Sequence, residues 1–436
     1  MSKSYQRATL VLICMGEDHE DHGSRAQTLV EEVTSMVEDE LEKIHTPTWN
    51  SFSHHENVPF VDDTRWESLA ALLKQAWFSR GWVVREAALA QQGWAIWGQA
   101  QCFMESHEWK KNSVLDYLAA GRRLRMSDPR DRLYAFLNMS TENESQIQVD
   151  PKYGDSAPEV YREFASQYIR ANKRLTILDH IIHDAQSLQA NIPSWVPNWD
   201  YRENGPRYVL DDALTSRTGS VYKPALIGRS LLKVRGVILE PVGSITGVFD
   251  RPAVTMETLA SVWAAIRPYN SANPYSSLYS LRAFISTLTE GRLIGYISTS
   301  VQQKMLYLHV LEDACNSSGG RIPEGTDIGT SVVHAFIQEH VEGKNFMLTE
   351  RGYMGLGPAI AQEGDMCGII FGCSMPCILR KTEQSNRYRF IGRCFALGNQ
   401  TYETLDGYTS CVYTLGSTNS KEWVDWDVEE QDIYLC

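Results

Sequence analysis

The sequence lacks the marks of three large classes of protein. No stretch approaches the ~18 consecutive apolar residues of a membrane span, and the N-terminus has no signal-peptide architecture. The nine cysteines are an odd number without a CxxC pair, which excludes a disulfide scaffold and favours reduced thiols. We therefore expect a soluble protein of the cytoplasm without a membrane span.

Basic charge is also scarce. The chain has 41 Lys and Arg against 54 Asp and Glu, a net charge of −13. Phosphate backbones and anionic lipids attract surfaces with an excess of Lys and Arg, so we expect no nucleic-acid partner. The GxxxxGK[ST], GxSxG, HExxH and GxGxxG motifs are absent as well. The sequence therefore offers no familiar nucleotide-binding, hydrolase or metalloprotease template.

The composition that is present predicts packed domains. The chain has 436 residues, 43% of them hydrophobic, with 12 Trp and 20 Tyr, which suits two or three domains. Ala8 to Met15 is a continuous apolar run typical of a buried strand, and helical spacing follows from Ser24 to Ile44. A second helix is predicted over Trp66 to Gln75, and a short strand over Trp94 to Trp97. Residues 1–125 therefore read as an α/β domain.

The rest of the chain predicts two further regions. Residues 126–340 are mainly helical, with Asp128 as the N-cap of a helix that has Pro129 at its first position. A β-hairpin is predicted near 231–247, around a turn at Pro241 to Gly243. Residues 341–436 contain short strands separated by glycines, which is typical of a small barrel or sandwich module.

Several short segments concentrate Trp, Arg, Asp and Pro. They are Trp77-Phe78-Ser79-Arg80 with Trp82 and Glu86-Ala87, Asp128-Pro129-Arg130-Asp131-Arg132 with Tyr134-Ala135, Val149 to Tyr153, Pro193 to Trp199, and Gly364-Asp365 with Pro376 to Arg380. In this order they resemble the motifs of the fungal heterokaryon-incompatibility (HET) domain, although Arg85 stands where the family usually has Gln. The family's earlier N-terminal segments are absent, so the chain resembles an N-terminally truncated member.

The resemblance implies both a fold and a function. HET domains are similar to TIR domains, which implies a partial TIR-like, flavodoxin-like sheet in the first region. The family implies a part in self/non-self recognition and programmed cell death in fungi. A protein partner, such as the product of an incompatible allele, is implied as well. Because a fold does not determine a function, these are expectations by analogy.

The resemblance also implies a candidate catalytic site. Some TIR domains cleave NAD with a Glu four residues after a Trp, the spacing of Trp82 and Glu86, and i,i+4 positions share one face of a helix. A carboxylate beside an aromatic ring could stabilise an oxocarbenium-like centre, with Arg80 as a binding residue. NAD would be a substrate, and no cofactor is predicted. The alternative is that Glu86 pairs structurally with Arg80 or Arg85.

Other clusters have structural explanations that compete with functional ones. Five arginines between Arg122 and Arg132 could bind phosphates, but Asp128, Asp131 and Glu142 predict an internal ion-pair network. Trp195 and Trp199 could stack on a ligand or anchor a loop. His180 and His183 have i,i+3 spacing, yet no further ligands accompany them, so no metal site is predicted. Cys367, Cys373 and Cys377 are expected to be core residues.

Three functions therefore remain open. The first is a HET-type recognition protein, in a form without catalysis. The second is a TIR-like NAD-cleaving hydrolase that uses Glu86. The third is an accessory interaction protein of a gene cluster. Dependence of NAD loss on Glu86 would separate the second from the other two.

Overall fold

A computed structural model describes residues 11–18, 20–42, 63–83, 92–98, 100–105, 113–137, 139, 147, 149–188, 192–201, 223–250, 254–267, 273–275, 280–292, 301–316, 332–399, 402–403, 410–411, 415 and 426–436. The chain divides into two compact units. The first comprises Met1–Val160 with Trp199–Glu203, and the second comprises Tyr161–Asn198 with Asn204–Cys436. The finer division into regions 1–125, 126–340 and 341–436 stays a prediction.

The first unit contains a small mixed sheet. β1 (Val11–Cys14) runs parallel to β2 (Gln92–Trp97), and β3 (Ala100–Glu105) runs antiparallel to β2. The strands predicted within Ala8 to Met15 and Trp94 to Trp97 are confirmed. A parallel pair needs a crossover connection, and a helix begins soon after β1.

The first unit contains five helices in its described residues. They are α1 (His22–Glu42), α2 (Arg65–Leu73), α3 (Ala76–Ser79), α4 (Val114–Gly121) and α5 (Asp131–Tyr134). Asp18 accepts hydrogen bonds from the backbone N–H groups of His22 at 3.0 Å and Gly23 at 2.6 Å. Ser113 and Asp116 form a capping box at α4. Carboxylates at these positions satisfy N–H groups that have no partner inside the helix.

Gly98 holds the end of β2 against the Asp18 cap. Its φ is +59°, and an added Cβ would lie 2.5 Å from the Asp18 Cβ. We expect Gly98→Ala to lower the free energy of unfolding by about 2 kcal/mol, because it adds left-handed strain and displaces Asp18. Urea denaturation measures the loss. Gly154→Ala is the matched control, since nothing lies within 4 Å of its added Cβ; equal stability of both variants would contradict the prediction.

The second unit contains a closed five-stranded barrel. Its strands are β5 (Leu231–Val248), β8 (Met366–Ile370), β9 (Cys377–Lys381), β10 (Arg387–Arg393) and β14 (Glu430–Leu435). β5 pairs with β14, β14 with β10, β10 with β9, β9 with β8, and β8 with β5 again. Closure removes exposed strand edges. The predicted β-rich C-terminal module is confirmed.

β5 corrects the predicted hairpin near 231–247. The strand continues through Pro241 to Gly243 instead of turning, and it changes partners there. It pairs with β8 as far as Pro241 and with β6 (Lys344–Thr349) from Val242 onward, with register shifts in both ladders. Proline lacks an N–H group, and a bulge is where a strand tolerates it. The turn prediction was therefore wrong.

The remaining elements of the second unit extend and cover the barrel. β7 (Met354–Pro358) pairs with β6, β11 (Phe395–Ala396) pairs with β7, β4 (Ala225–Ile227) pairs with β5, and β12 (Tyr402–Glu403) pairs with β13 (Ser410–Cys411). The helices are α6 (Ala157–Asn172), α7 (Met256–Ile266), α8 (Ser280–Leu288), α9 (Val301–Asn316) and α10 (Val332–Val341), with a 3-10 turn at Thr176–His180. The chain is thus mixed α/β, with a helical middle and a β-rich C-terminal sheet.

Candidate functional site

The three predicted site residues fall in one segment of the first unit. Trp82 and Arg80 are described, whereas Glu86 lies outside the described residues. Arg80 is exposed at the end of α3, and its backbone forms a parallel bridge with Arg125. The pairing of Glu86 with Arg80 or Arg85, and its role toward NAD, stay predictions.

Trp82 is tied to the Asp128–Arg132 segment through one carboxylate. The indole N–H of Trp82 donates to Asp131 Oδ2 at 3.1 Å, and the phenol of Tyr153 donates to Asp131 Oδ1 at 2.7 Å. Asp131 therefore accepts from two residues that are 49 and 22 positions away in sequence. Hydrogen bonds to a charged acceptor are stronger than neutral ones. This carboxylate joins three segments that the sequence keeps apart.

The Tyr153 phenol should titrate late because of its partial burial and of this contact. Burial and, next, the hydrogen bond to Asp131 raise the pKa of Tyr153 to about 12. Because the pKa is raised in the folded state, the contact stabilises the fold at pH values below the ordinary pKa of about 10. This contribution is lost as the pH rises towards 12. The difference between spectrophotometric titrations of wild type and Tyr153→Phe measures this pKa. We expect Asp131→Asn to lower it; a wild-type midpoint near 10 would contradict the assignment.

Arg130 fixes the loop that follows α5. Its guanidinium pairs with both oxygens of Asp128, at 2.9 Å and 2.6 Å, and donates to the backbone carbonyls of Tyr153 and, at 2.9 Å, Asp155. The hydrogen bond from Arg130 lowers the pKa of Asp128. Asp128 also accepts from the Arg130 N–H at 2.9 Å, as the predicted N-cap would, although α5 itself begins at Asp131.

Arg132 is buried, with only 2% of its surface exposed. Its Nε donates to Asp200 at 3.0 Å, and one terminal nitrogen donates to the carbonyls of Gly121 at 2.8 Å and Arg122 at 3.1 Å. The Arg122 guanidinium lies 4.9 Å from the ring centre of Trp199, which is fully buried. Arg132 thus joins the end of α4 to the segment that carries Trp199 and Asp200.

These contacts define what we call the motif network, which consists of Trp82, Arg130, Asp131, Arg132, Tyr153 and Asp200. The predicted internal ion pair is confirmed for Arg130 with Asp128, whereas Arg132 pairs with Asp200, a partner that was not predicted. Glu142 lies outside the described residues. The network uses the Trp82 indole N–H and both Asp131 oxygens within the protein. The network is therefore a structural hydrogen-bond network that holds these segments together.

A second cluster, which the sequence did not reveal, lies at the start of α1. His22 contacts Ser68 Oγ at 3.0 Å through Nδ1 and Glu20 at 2.9 Å through Nε2, and its ring stacks on Trp97. Serine, histidine and carboxylate in a row have the order of a nucleophilic triad. Here, however, Ser68 is fully buried and the Glu20 side chain is 76% exposed. A substrate cannot reach the serine, so this cluster joins α1 to α2.

The remaining candidate residues have structural roles in the second unit. His183 contacts the carbonyl of Ser194 at 2.9 Å and Ser187 Oγ at 3.1 Å. Trp195 is fully buried and donates to the carbonyl of Ser230 at 2.9 Å, as a loop anchor would. Cys367, Cys373 and Cys377 are confirmed as core residues. Burial raises the pKa of Cys373 and Cys377, so their thiols stay protonated.

Metal-binding clusters and membrane-spanning helices are absent from the described ranges. Within them, no three His, Cys, Asp or Glu side chains are grouped so that they could hold a metal ion. Likewise, no helix in the described part of the chain is long and apolar enough to cross a membrane.

Comparison with known proteins gives matches at both ends of the chain. Residues 1–86 match the family "Heterokaryon incompatibility protein (HET)", and residues 327–404 match the "Het-6 beta-barrel domain". Both matches support a heterokaryon-incompatibility domain protein. "Heterokaryon incompatibility protein 6, OR allele" of Neurospora crassa is 35% identical over 69 residues. That match covers 15% of this chain and 10% of the relative's length. No solved structure matches.

The two matches cover separate parts of the chain. The HET match contains Arg80, Trp82 and Glu86 and ends before Asp131. The motif network therefore joins residues inside the match to residues beyond it. The barrel match contains β6 to β11, while β5 and β14, which close the barrel, lie outside it.

Proposed function

We propose that this HET protein acts as a non-catalytic recognition component in the cytoplasm of fused fungal cells. In this role it binds a protein partner, the product of an incompatible allele, and the complex leads to programmed cell death. One observation carries the proposal: Trp82, in the first of the segments that resemble the family's motifs, donates its indole N–H to Asp131. Polar groups of the motif residues that bond to one another are not available to a substrate. Such residues support a binding surface rather than form a substrate site.

A cell-fusion assay tests this proposal. Wild type, Glu86→Ala and Arg132→Ala are expressed in a fungal strain that is fused with a strain carrying a different allele, and viable fused cells are counted. We expect wild type and Glu86→Ala to reduce viability equally. Arg132→Ala should not reduce viability, because it disrupts the first unit. Arg123→Ala, an exposed arginine in the same region, should behave as wild type.

The outcome for Glu86 decides between recognition and catalysis. If Glu86→Ala restores viability while the protein level is unchanged, the non-catalytic proposal is wrong. If wild type has no effect on viability with any tested allele, the recognition role fails and the accessory interaction role is the remaining one.

The second candidate function is NAD cleavage by a TIR-like sheet. Two observations favour it: β1 and β2 are parallel with α1 directly after β1, and Trp82 and Glu86 both lie inside the HET match. In this function NAD is a substrate and Glu86 stabilises the positive centre as nicotinamide leaves.

A further inference from the structure

The turn between β9 and β10 lines a basic cavity in the barrel of this acidic protein. The cavity has a volume of about 510 Å³, and its lining includes Arg380, Lys381, Arg387 and Arg389. Glu383 is the single acidic side chain of the lining, and the backbone carboxyl group of Cys436 also borders the cavity, whereas the whole chain has a net charge of −13. The volume falls in the range of small-molecule sites, roughly 300–1,000 Å³.

The cations of this cavity repel one another across the two strands. Arg389 lies directly opposite Arg380 in the antiparallel register of β9 and β10, where side-chain Cβ atoms are about 5 Å apart and like charges destabilise the pair. Arg387 is two residues before Arg389, so both side chains emerge on one face about 7 Å apart. Three guanidinium groups therefore emerge close together from one face of the hairpin.

One of these cations is neutralised inside the protein and the others are not. Arg380 donates to both oxygens of the buried Asp365, at 2.8 Å and 2.9 Å. Among the described residues, no carboxylate forms an ion pair with Lys381, Arg387 or Arg389, and Lys381 and Arg389 are exposed. An anion bound here would relieve the repulsion that the fold maintains.

The backbone around the cavity is held in place before any ligand binds. Within the turn, the Thr382 N–H donates to the carbonyl of Arg387 at 3.1 Å. β14 fixes the other edge, because the Tyr434 N–H donates to the carbonyl of Asn386 and the Cys436 N–H donates to that of Tyr388, both at 3.0 Å. A rigid frame reduces the entropy lost when a ligand binds.

We propose that this cavity binds a soluble small molecule that carries two or more adjacent phosphate groups. Guanidinium forks match phosphate oxygens in bidentate geometry, and several arginines within about 7 Å suit linked phosphates better than a single one. None of the described residues that line the cavity is aromatic, so recognition rests on the phosphates and not on a stacked base. This ligand is independent of the recognition function proposed above.

Calorimetric titration of the full chain with inorganic tripolyphosphate tests the proposal. The cavity variant is Arg387→Gln/Arg389→Gln. The control variant, Arg174→Gln/Lys223→Gln, removes the same charge from exposed positions outside the cavity lining. We expect one saturable site in wild type and control, a loss of affinity of about tenfold or more in the cavity variant, and an unchanged melting temperature in both. Inorganic monophosphate should bind more weakly than tripolyphosphate.

Four results would overturn the proposal. The first three are the absence of saturable binding to wild type, an equal loss of affinity in the cavity and control variants, and equal affinity for monophosphate and tripolyphosphate. The fourth comes from a second experiment, in which the protein pellets with vesicles that contain a bisphosphorylated inositol lipid but gives no heat with tripolyphosphate. The first three would reduce the cavity to a general electrostatic surface, and the fourth would make the phosphate source a membrane.

Discussion

Glu290→Ala should lower the free energy of unfolding by about 3–5 kcal/mol, because it leaves the Lys344 ammonium buried without its partner. Glu290 and Lys344 are both nearly fully buried and form a short ion pair. Lys344 is the first residue of β6, and Glu290 follows the end of α8. The ion pair therefore connects this helix to the strand. Urea denaturation of the full chain, followed by fluorescence, measures the loss.

The same pair should make stability fall in acid. Burial raises the pKa of Glu290, but the attraction and hydrogen bond of Lys344 outweigh it, so this pKa lies below its usual value. Because the folded-state pKa is lower than the unfolded-state pKa of about 4.3, the ionised carboxylate stabilises the fold at pH values above about 4.3. This contribution is lost as the pH falls below that value. Glu290→Gln should lose this part of the acid dependence.

A double replacement separates a missing charge from missing packing. Glu290→Gln/Lys344→Met removes both charges and keeps the volume, and it should recover most of the stability lost in Glu290→Ala. The exposed pair of Lys233 and Asp432, 2.8 Å apart, is the comparison, and Asp432→Ala should change stability little. A Glu290→Ala variant as stable as Asp432→Ala would show that the buried pair is not needed.

Arg132→Ala should lower the free energy of unfolding by about 3 kcal/mol, the second-largest effect we expect. The change removes the ion pair with Asp200 and leaves two carbonyl groups at the end of α4 without their donor, and each lost bond to a charged group costs about 1.5–3 kcal/mol before the site relaxes. Arg132→Lys should recover only part of the loss, because an ammonium group lacks the planar fork of a guanidinium.

Arg123→Ala is the matched control for this prediction. Arg123 lies nine residues before Arg132 in sequence and is exposed, so its removal should change stability by less than about 0.5 kcal/mol. If the two variants unfold at the same urea concentration, Arg132 does not hold the motif network together.

Elements with a strong local pattern could be predicted from the sequence. β1 lies within the apolar run that ends at Met15. The glycine-separated strands of the C-terminal region also formed, because each alternates or buries both faces over five to seven residues.

Elements that depend on distant partners could not be predicted. β14 reads Glu430-Gln-Asp-Ile-Tyr-Leu435, and its acidic start conceals the fully buried Ile433 and Leu435. Its Asp432 is tolerated because Lys233, which lies opposite Tyr434 on the neighbouring strand, forms an ion pair with Asp432. Pro241 suggested a turn for a similar reason: only β6 and β8, more than 100 residues later, keep that stretch of β5 extended.

The candidate site was predictable in its members but not in its connections. The motif segments were evident as clusters of Trp, Asp and Arg, and an internal ion-pair network was a natural explanation of the arginines. That Asp131 receives both Trp82 and Tyr153, and that Arg132 reaches Asp200, depends on folding across up to 68 positions. The His22–Ser68 contact gave no local signal at all, because each residue is ordinary in its own helix.

Release of nicotinamide from NAD by the purified full chain is the most direct measurement of the central claim, which is recognition without catalysis. Wild type and Glu86→Ala are incubated side by side with NAD, after circular dichroism has shown that both are folded. The account predicts no release above a buffer control from either protein. Steady release by wild type that Glu86→Ala abolishes would contradict it and would make this protein an NAD-cleaving enzyme.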